Sequence, residues 1–552
     1  MINQQPPGRR ASARRPLGRS RAPQQLQQCR PPVPRRARLS RMPLRGVHPA
    51  LLALALITVA VVATPLVFLL TEVFAANPER IAGALQRPRT LQLMVNTLLL
   101  TAGTTVGTVL IGVPTAFLLV RTNLVGRRWW WVAAALPLAV PSYVAGLAWV
   151  SATPLRGYLG SVLVLVLVST PYVTLPVAAA LRRADTSIED VARTLGRGPV
   201  RAFLTMTLPQ VAPAAGAGAL LVALYTISEF GVVAIMRYPA LTPAVQTAFS
   251  GTFNRELAMV LSLLLVVLAL LVVAAERALR RPVTALRVRG DDATPLTLGR
   301  GGQVLATLAL GGVFLASVGM PVAVLIQRLL ISVAEREVEV ERLLAAARTT
   351  VLLGLGGAAV ATLLALPVGI LAARQRTRLV AGLETATFLG HGLPGIVLGL
   401  SMVYLSLKVA PALYQTLGLL VIAYGILYVP KAVGSVRTAV AQVPVRLEDT
   451  ARILGRSPLQ TWTEITGRVA WPGIAAGAML VALTVMKELP ATLMMRPTGT
   501  DTLATRMWQL TDIAAYGGAA PYGLMLIAVA TIPALVLARQ PRPPARHPGG
   551  DT

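Results

Sequence analysis

The sequence predicts an all-α integral membrane protein built from two parallel six-helix repeats, and three observations support this fold class. Hydrophobic residues make up 55% of the 552 residues and charged residues only 13%, against roughly a quarter charged in soluble domains. Apolar runs of about 20 residues, long enough to span a bilayer, recur along the chain. A charged nine-residue segment that begins at Glu189 returns almost unchanged at Glu448.

The chain begins with a polar tail that is followed directly by an apolar run. Residues 1–49 are rich in Arg, Pro and Gln, a composition that cannot bury a core, so we expect a disordered basic tail. The run from Leu51 to Leu70 shows no small-residue cleavage site and is expected to remain as the first helix. The formal charge of +30 lies mainly in tails and short loops rather than on one folded face, which argues against nucleic-acid binding.

Twelve segments are expected to span the membrane. Arginine-rich loops alternate with loops that carry few basic residues, and placing the arginine-rich loops in the cytoplasm puts both termini there. The expected domains are 50–280 and 301–540, with a cytoplasmic linker at 281–300 and a cytoplasmic tail at 541–552. The predicted spans lie near 50–71, 93–120, 130–151, 159–181, 211–236, 257–276, 302–327, 349–373, 382–406, 412–436, 472–495 and 519–538.

The duplication extends well beyond the charged segment. An even number of predicted spans separates equivalent points, so the two halves share one orientation and are parallel repeats. Equivalent residues keep a spacing of 253 positions early in each repeat and 259 later: Pro114 with Pro367, Arg121 with Arg374, Pro141 with Pro394, Glu229 with Glu488 and Arg237 with Arg496.

Each copy of the charged segment is predicted to form two short helices that meet at a glycine. Ser187 and Asp190 make a capping-box pattern, and Gly196 and Pro199 are suited to end one helix and begin the next. Such a bent element would dock in a groove on a partner; the alternative, a helix lying in the lipid headgroups, is disfavoured by recurrence in both halves. The predicted apolar face is Ile188, Val191, Ala192 and Leu195. The second copy has a glycine and a proline at the equivalent positions, Gly455 and Pro458.

This segment resembles the cytoplasmic coupling motif of ABC-transporter permeases, an E-A-A run followed by a glycine and an I-x-L-P ending. The two copies differ at that ending, so the resemblance implies two docking sites that are similar but not equivalent. The first copy matches at Asp190-Val191-Ala192, Gly196 and Met206-Thr207-Leu208-Pro209; the second matches at Asp449-Thr450-Ala451, Gly455 and Ile465, with Gly467-Arg468 in place of Leu-Pro.

The resemblance covers about residues 50–540 and is closest to the fused permeases of bacterial iron(III) importers. The runs that suggest this subgroup are Leu136-to-Tyr143, Glu229-Phe230-Gly231 and Lys487-to-Thr492. It implies a multi-pass permease subunit of a bacterial plasma membrane, with ferric iron as the expected substrate and thiamine or another small solute as the alternative.

The same resemblance implies the partners. An extracytoplasmic binding protein would deliver substrate, two copies of a separate ATPase would drive its movement into the cytoplasm, and membrane lipids would surround the chain. The residues implied in ATPase coupling are Glu189, Asp190, Ala192, Gly196 and Pro199 in the first repeat, and Glu448, Asp449, Ala451, Gly455 and Pro458 in the second.

The chain itself is not expected to be an enzyme or to hold a cofactor. A P-loop requires a lysine after glycine, but the three lysines follow Leu407, Pro430 and Met486. ATP and Mg²⁺ would therefore be bound by the partner ATPase. One cysteine, Cys29, and three scattered histidines offer no disulfide and no metal site by local spacing.

A second group of residues is expected to form the translocation path or an outer gate. Ionisable residues in membrane helices are costly and often functional. Glu229, Lys487 and Glu488 are expected toward the outer ends of the fifth and eleventh spans, with an interhelical ion pair or an interfacial position as the alternative. The remaining members are Pro141, Tyr143 and Pro394, expected to mark a broken helix that lines the path, with ordinary packing as an equal alternative.

An ion-coupled secondary carrier is the alternative from a different functional class. Such a carrier can also have parallel six-helix halves, but it would need no pair of ATPase-docking segments. The sequence also offers no mid-membrane carboxylate relay that would drive ion coupling.

Overall fold

The computed structural model describes residues 49–75, 77–184, 187–279, 296–334, 339–375, 377–388 and 393–538. Over these ranges the ordered elements are helices, with one isolated parallel bridge between Thr122 and Leu296. The predicted tails, apart from Pro49, and most of the predicted linker lie outside the described residues.

The first repeat runs from α1 to α12. A 3₁₀ turn at Leu136–Ala139 follows α4, and π turns follow α8 and α11 at Phe203–Thr207 and Thr247–Gly251. The helices are α1 Pro49–Ala75, α2 Pro78–Gln86, α3 Pro88–Arg121, α4 Arg127–Ala135, α5 Ser142–Ala152, α6 Gly157–Leu181, α7 Ser187–Thr194, α8 Pro199–Ala202, α9 Leu208–Ser228, α10 Gly231–Ile235, α11 Leu241–Gln246 and α12 Arg255–Leu279.

The second repeat follows the same plan from α13 to α24. Its π turns lie at Leu315–Gly319 and Trp462–Thr466, and a short 3₁₀ turn lies at Pro411–Leu413. The helices are α13 Arg300–Phe314, α14 Met320–Ala334, α15 Val340–Arg374, α16 Arg378–Thr387, α17 Gly395–Val409, α18 Leu417–Ala441, α19 Val445–Ile453, α20 Pro458–Thr461, α21 Gly467–Met486, α22 Pro490–Met495, α23 Leu503–Asp512 and α24 Tyr516–Ala538.

Every predicted span overlaps an apolar helix. In the described part of the chain, nine helices are long and apolar enough to cross a bilayer, and the bent pair α4–α5 makes a tenth. The other two predicted spans coincide with the shorter apolar helices α17 and α24. The all-α membrane class is confirmed, and the predicted count of twelve is compatible with these helices.

Two predicted spans are not continuous helices. The segments predicted at 211–236 and 472–495 stop at Ser228 and Met486 and resume as α10 and α22. Each break carries a glutamate whose side chain accepts a hydrogen bond from the first turn of the helix after it. Glu229 Oε1 accepts from the Val232 amide at 3.1 Å, and Glu488 Oε1 accepts from the Ala491 amide at 3.1 Å.

The two halves are not separate bundles. Helix α1 packs against α15, α16 and α17 of the other half, and the Thr58 hydroxyl donates to the Leu364 carbonyl at 2.9 Å. Helix α14 packs against α5, where the Arg328 guanidinium donates to the Ser151 carbonyl at 2.6 Å. The first span of each half therefore holds the other half in place.

Small residues allow the helices within a half to approach closely. At Gly218 in α9, an added Cβ atom would lie 2.7 Å from the Tyr172 carbonyl oxygen and 2.9 Å from the Val173 Cα atom of α6. Both are backbone atoms, so only movement of a whole helix would relieve the clash. Gly216, two residues earlier in α9, has open space around the same position.

Gly218→Val is therefore expected to destabilise the protein by about 1–3 kcal/mol, the usual range for overpacking. Gly216→Val is the matched control, since it makes the same change of helix propensity without the clash. Thermal unfolding of the detergent-solubilised protein measures both variants. Equal melting temperatures for the two variants would contradict this account of the α6–α9 contact.

Candidate coupling elements and central cavity

The two predicted docking segments have the same bent backbone. Helices α7 and α19 end before glycines in the left-handed region, with φ of 84° at Gly196 and 78° at Gly455. The residue after each glycine bonds back across the turn, from the Arg197 amide to the Ala192 carbonyl and from the Arg456 amide to the Ala451 carbonyl. This closing pattern explains why a glycine is needed at both positions.

The second short helix of each element begins at the predicted proline and continues into a long span. Pro199 and Pro458 open α8 and α20, each followed by a π turn and then by α9 or α21. Ser457 caps α20 through a capping box with Gln460. Gly467-Arg468, which replaces Leu-Pro in the second copy, leaves this course of the backbone unchanged. We call residues 187–207 and 446–466 the coupling elements.

Each coupling element is tied to a long helix by a buried arginine–glutamate–threonine cluster. In the second repeat, Arg374 at the end of α15 donates to Glu448 at 2.5 and 3.1 Å, and Thr466 donates to the same oxygen at 2.8 Å. In the first repeat, Thr207 donates to Glu189 at 2.6 Å, and Arg121 at the end of α3 lies 4.0 Å from that carboxylate. We call these clusters the anchors.

The anchors change the interpretation of the predicted coupling residues. Glu189 and Glu448 are only 7% and 6% exposed. Each lies between its coupling element and the end of a long helix, and its partners are the arginine and threonine of its anchor. Ala192 and Ala451 are also buried, whereas the Asp449 side chain is 57% exposed. The Asp190 and Pro199 side chains lie outside the described residues.

Exposed apolar side chains form the outer surface of both coupling elements. Of the predicted apolar face in the first copy, Ala192 packs inward, Val191 and Leu195 face outward, and the Ile188 side chain lies outside the described residues. A partner would therefore meet aliphatic side chains, not the buried glutamates. The exposed residues are Val191 and Leu195 in the first element and Leu447, Ile453, Leu454 and Leu459 in the second.

A cavity of about 290 Å³ lies between the two halves. It is lined by the breaks between α4 and α5, α9 and α10, and α21 and α22, and by α6 and α18. Tyr172 is 15 residues from the start of the 25-residue α6, and Lys431 is 14 residues from the start of the 25-residue α18. At a rise of about 1.5 Å per residue, both lie near the middle of their spans.

The cavity contains the ionisable residues that the sequence predicted at the outer ends of their spans. Glu229, Lys487 and Glu488 instead line a cavity at mid-height of the bundle. Helices α9 and α21 are followed by the short helices α10 and α22, which pack within the bundle against α5 and α17, so these residues face the cavity. Two carboxylates therefore line the cavity, and each is held by its own local hydrogen bonds.

The two glutamates occupy equivalent positions in the repeat but have different side-chain partners. Glu229 accepts from the Ser142 hydroxyl at 2.9 Å, and its carbonyl accepts from Thr242 at 2.6 Å. Glu488 accepts from the Tyr428 hydroxyl at 2.5 Å, and its carbonyl accepts from Thr492 at 2.8 Å. Each break in the backbone is therefore closed by polar side chains.

Two hydrogen bonds join the halves across the cavity. The Tyr143 hydroxyl donates to the Lys487 carbonyl at 3.2 Å, and the Lys487 ammonium donates to the Leu138 carbonyl at 2.9 Å. Because Leu138 and Tyr143 lie on either side of Pro141, these bonds hold the broken helix of the first half to the break after α21.

The predicted broken helix is present. The segments Arg127–Ala139 and Ser142–Ala152 meet at 91°, and Pro141 is the N-cap of α5. Pro394 holds the equivalent place before α17, with nearly the same backbone angles. An added Cβ atom at Gly231 would lie 2.5 Å from the Tyr143 Cβ atom, so the break after α9 seats directly against the broken helix.

Sequence reasoning missed several residues of the cavity. Their polar groups are spread over four helices, so no local pattern relates them. The rarity of lysine was the one available signal, because Lys431 and Lys487 are two of only three lysines in the chain. The missed lining residues are Ser142, Tyr172, Tyr225, Tyr428 and Lys431.

Comparison with known families assigns the chain. The profile of the binding-protein-dependent transport system inner membrane component matches residues 108–283 and again 365–540. This chain belongs to that family. Both matches contain a coupling element, and together they cover the cavity-lining breaks of both halves. The double match confirms the fused, two-repeat permease predicted from the duplication.

Individual relatives extend over one or both repeats. The chain is 34% identical to the Fe(3+)-transport system permease protein FbpB 2 of Haemophilus influenzae over 478 residues, covering 86% of this chain and 94% of that protein. It is 30% identical to the molybdate/tungstate permease WtpB of Thermococcus kodakarensis over 189 residues, 34% of this chain and 76% of that protein. The molybdenum permease ModB of Escherichia coli K12 is 31% identical over 137 residues, which cover 22% of this chain and 60% of that protein.

The second anchor generates a prediction about local stability. Arg374→Ala is expected to accelerate amide hydrogen exchange in α19 and α20 by about tenfold or more, because Glu448 loses its buried partner. The cost should stay below the roughly 3–5 kcal/mol of a fully buried pair, since Arg374 is 19% exposed.

Arg456→Ala is the matched control for this experiment. The Arg456 side chain is 50% exposed and pairs with the exposed Glu464 at 2.9 Å, away from Glu448, and such surface pairs contribute little. Hydrogen exchange measured by mass spectrometry compares the two variants. Equal exchange in both would show that the anchor does not hold the coupling element.

Proposed function

We propose that this permease moves ferric iron, delivered by an extracytoplasmic binding protein, into the cytoplasm of a bacterium. The identity of the substrate is supported by the match to a ferric-iron permease over 86% of this chain and 94% of that protein. The matches to molybdate and tungstate permeases are shorter and make an oxyanion the second candidate. Thiamine, the alternative expected from the sequence, gains no support from these relatives.

The two coupling elements are proposed to dock two copies of a separate ATPase at the cytoplasmic face, with both termini on that side. Their exposed aliphatic residues suit a groove on a folded partner better than water. The alternation of arginine-rich loops supports the orientation. The ATPase copies would bind ATP and Mg²⁺.

The packing suggests how movement at the coupling elements would reach the cavity. Each anchor joins a coupling element to the end of α3 or α15. Helix α3 packs along α6, and α15 packs along α18. Since Tyr172 of α6 and Lys431 of α18 line the cavity, closure of the ATPase pair would displace both cavity walls together.

Alternating access would then break the contacts that hold the cavity closed. The candidates are the two hydrogen bonds between Tyr143, Lys487 and Leu138 that join the halves. Pro141 and Pro394 would act as the bends about which the broken helices move. In this proposal Glu229 and Glu488 hold the breaks in shape while the surrounding helices shift.

Reconstitution tests the proposed function. The permease, its ATPase and its binding protein in vesicles should accumulate ⁵⁵Fe only when the binding protein is loaded with ferric iron and ATP is present with the ATPase. Omitting the ATPase is the control. Equal uptake driven by an ion gradient without the ATPase would overturn the proposal in favour of a secondary carrier. Uptake of molybdate but not of iron would show that the substrate is an oxyanion and not ferric iron.

The glycine of each coupling element gives a sharper prediction. Gly196→Val forces a branched side chain into the left-handed region, at a cost of about 1–2 kcal/mol, and should distort the bend that docks the ATPase. We expect iron uptake per ATP hydrolysed to fall while membrane insertion is unchanged. Gly455→Val should act in the same direction at the second element.

Gly198→Val is the matched control for Gly196→Val. Gly198 lies two residues away and is exposed, has open space around its Cβ position, and does not share the positive φ of Gly196. Coupling is measured as the ratio of uptake to ATP hydrolysis in the same vesicles. An unchanged ratio in both Gly196→Val and Gly455→Val would refute the docking assignment.

A further inference from the structure

The charged groups of the cavity differ in whether they are already hydrogen bonded or are free to contact a ligand. The lining includes two glutamates, Glu229 and Glu488, and two lysines, Lys431 and Lys487. The third lysine, Lys408, lies elsewhere, with its side chain 63% exposed and its ammonium 2.5 Å from Glu72. In a chain whose other basic residues are arginines, both cavity cations are lysines, whose compact ammonium groups can turn toward a small ligand.

The two carboxylates already have donors from the protein. Glu488 accepts from Tyr428 at one oxygen and from the Ala491 amide at the other. Glu229 accepts from Ser142 and the Val232 amide at one oxygen. A hard cation seeks several free oxygen ligands, and here it would have to displace the groups that close the helix breaks.

The Lys431 ammonium is the least committed charge in the cavity. It lies 5.2 Å from the centre of the Tyr428 ring, and it makes no hydrogen bond or ion pair within 4 Å with any residue that the structure describes. Glu488 influences it electrostatically without contacting it. Lys487, by contrast, is held by the Leu138 carbonyl. An ammonium at membrane mid-depth is costly unless it meets a counter-charge.

We propose that the cavity binds an oxygen-rich anion through Lys431, with Lys487 adding positive charge beside it. This inference rests on the proposed function and specifies its substrate: ferric iron would cross as an anionic complex, its charge masked by oxyanion or carboxylate ligands, and not as a bare trivalent cation. The Lys431 ammonium can donate hydrogen bonds to the outer oxygens of such a complex. A bare trivalent cation would instead have to compete for carboxylates that already accept hydrogen bonds from the protein.

Uptake by three variants tests the role of Lys431. Lys431→Gln should reduce ATP-driven ⁵⁵Fe uptake by about tenfold, equivalent to 1.4 kcal/mol, while Lys431→Arg, which keeps the charge, should retain most of it. Lys408→Gln is the matched control and should transport normally. Normal uptake by Lys431→Gln would overturn the proposal. Monodisperse elution of each variant in detergent shows that it is folded.

The double variant Lys431→Gln/Glu488→Gln separates ligand binding from charge balance. If Lys431 only neutralised Glu488, removing both charges would restore uptake, and that result would overturn the proposal. If Lys431 contacts an anion, the double variant should stay as impaired as Lys431→Gln. Glu488→Gln alone provides the reference for the lost carboxylate.

Direct binding identifies the source of the anion. The permease in lipid nanodiscs is equilibrated with ⁵⁵Fe–citrate, with molybdate alone or with Tb³⁺ as a bare trivalent cation. Binding of ⁵⁵Fe–citrate that is lost in Lys431→Gln supports the proposal. Molybdate binding lost in the same variant supports the anion site and assigns it to a free oxyanion. Tb³⁺ luminescence that is lost in Glu229→Gln/Glu488→Gln but kept in Lys431→Gln would overturn it.

The two proposals fail in distinguishable ways. Wild-type vesicles that take up no ⁵⁵Fe would refute iron transport, and Lys431-dependent molybdate binding would still support the anion site. Normal ⁵⁵Fe uptake by Lys431→Gln would refute the anion site and leave iron transport standing.

Discussion

The structure depends on one constraint, that backbone amides and carbonyls within a bilayer must be hydrogen bonded by the protein itself. The chain interrupts its helices beside the cavity, after α9 and α21 and at Pro141. Side chains then close the exposed backbone: Glu229 and Glu488 accept from amides, and Thr242 and Thr492 donate to carbonyls. Polar residues therefore gather where the breaks meet, and the cavity is the space that those breaks leave between the halves.

The two repeats apply this constraint with different residues. Positions 228 and 487 are equivalent by the 259-residue spacing, yet one is serine and the other is lysine. The lysine reaches across to Leu138 of the first half, so the two equivalent breaks contribute different groups to the cavity. The anchors differ in the same sense, since Arg374 contacts Glu448 at 2.5 Å while Arg121 lies 4.0 Å from Glu189. A duplicated chain has thus become asymmetric both at its coupling elements and in the cavity.

Local signals in the sequence were sufficient for the elements that depend on neighbouring residues. Gly196, Gly455, Pro199 and Pro458 each lie where the glycine and proline rules place them, and the bend at Pro141 was expected from its repeat. The resemblance to the coupling motif placed Glu189 among the residues implied in ATPase coupling. Its burial depends on Arg121 and Thr207, which are 68 and 18 residues away in the chain.

The sequence by itself determined the class of the protein, because hydrophobic length, arginine distribution and an internal repeat are properties of the chain that need no contacts. Only the tertiary structure decided where Glu229, Lys487 and Glu488 lie. The charges within 211–236 and 472–495 indicate polar sites in both segments, but they give no sign that both helices break there and that all three residues line one cavity. The meeting of Tyr143 with Lys487, 344 residues apart, and the exchange of α1 and α14 between the halves arise from packing between distant helices, which no local pattern encodes.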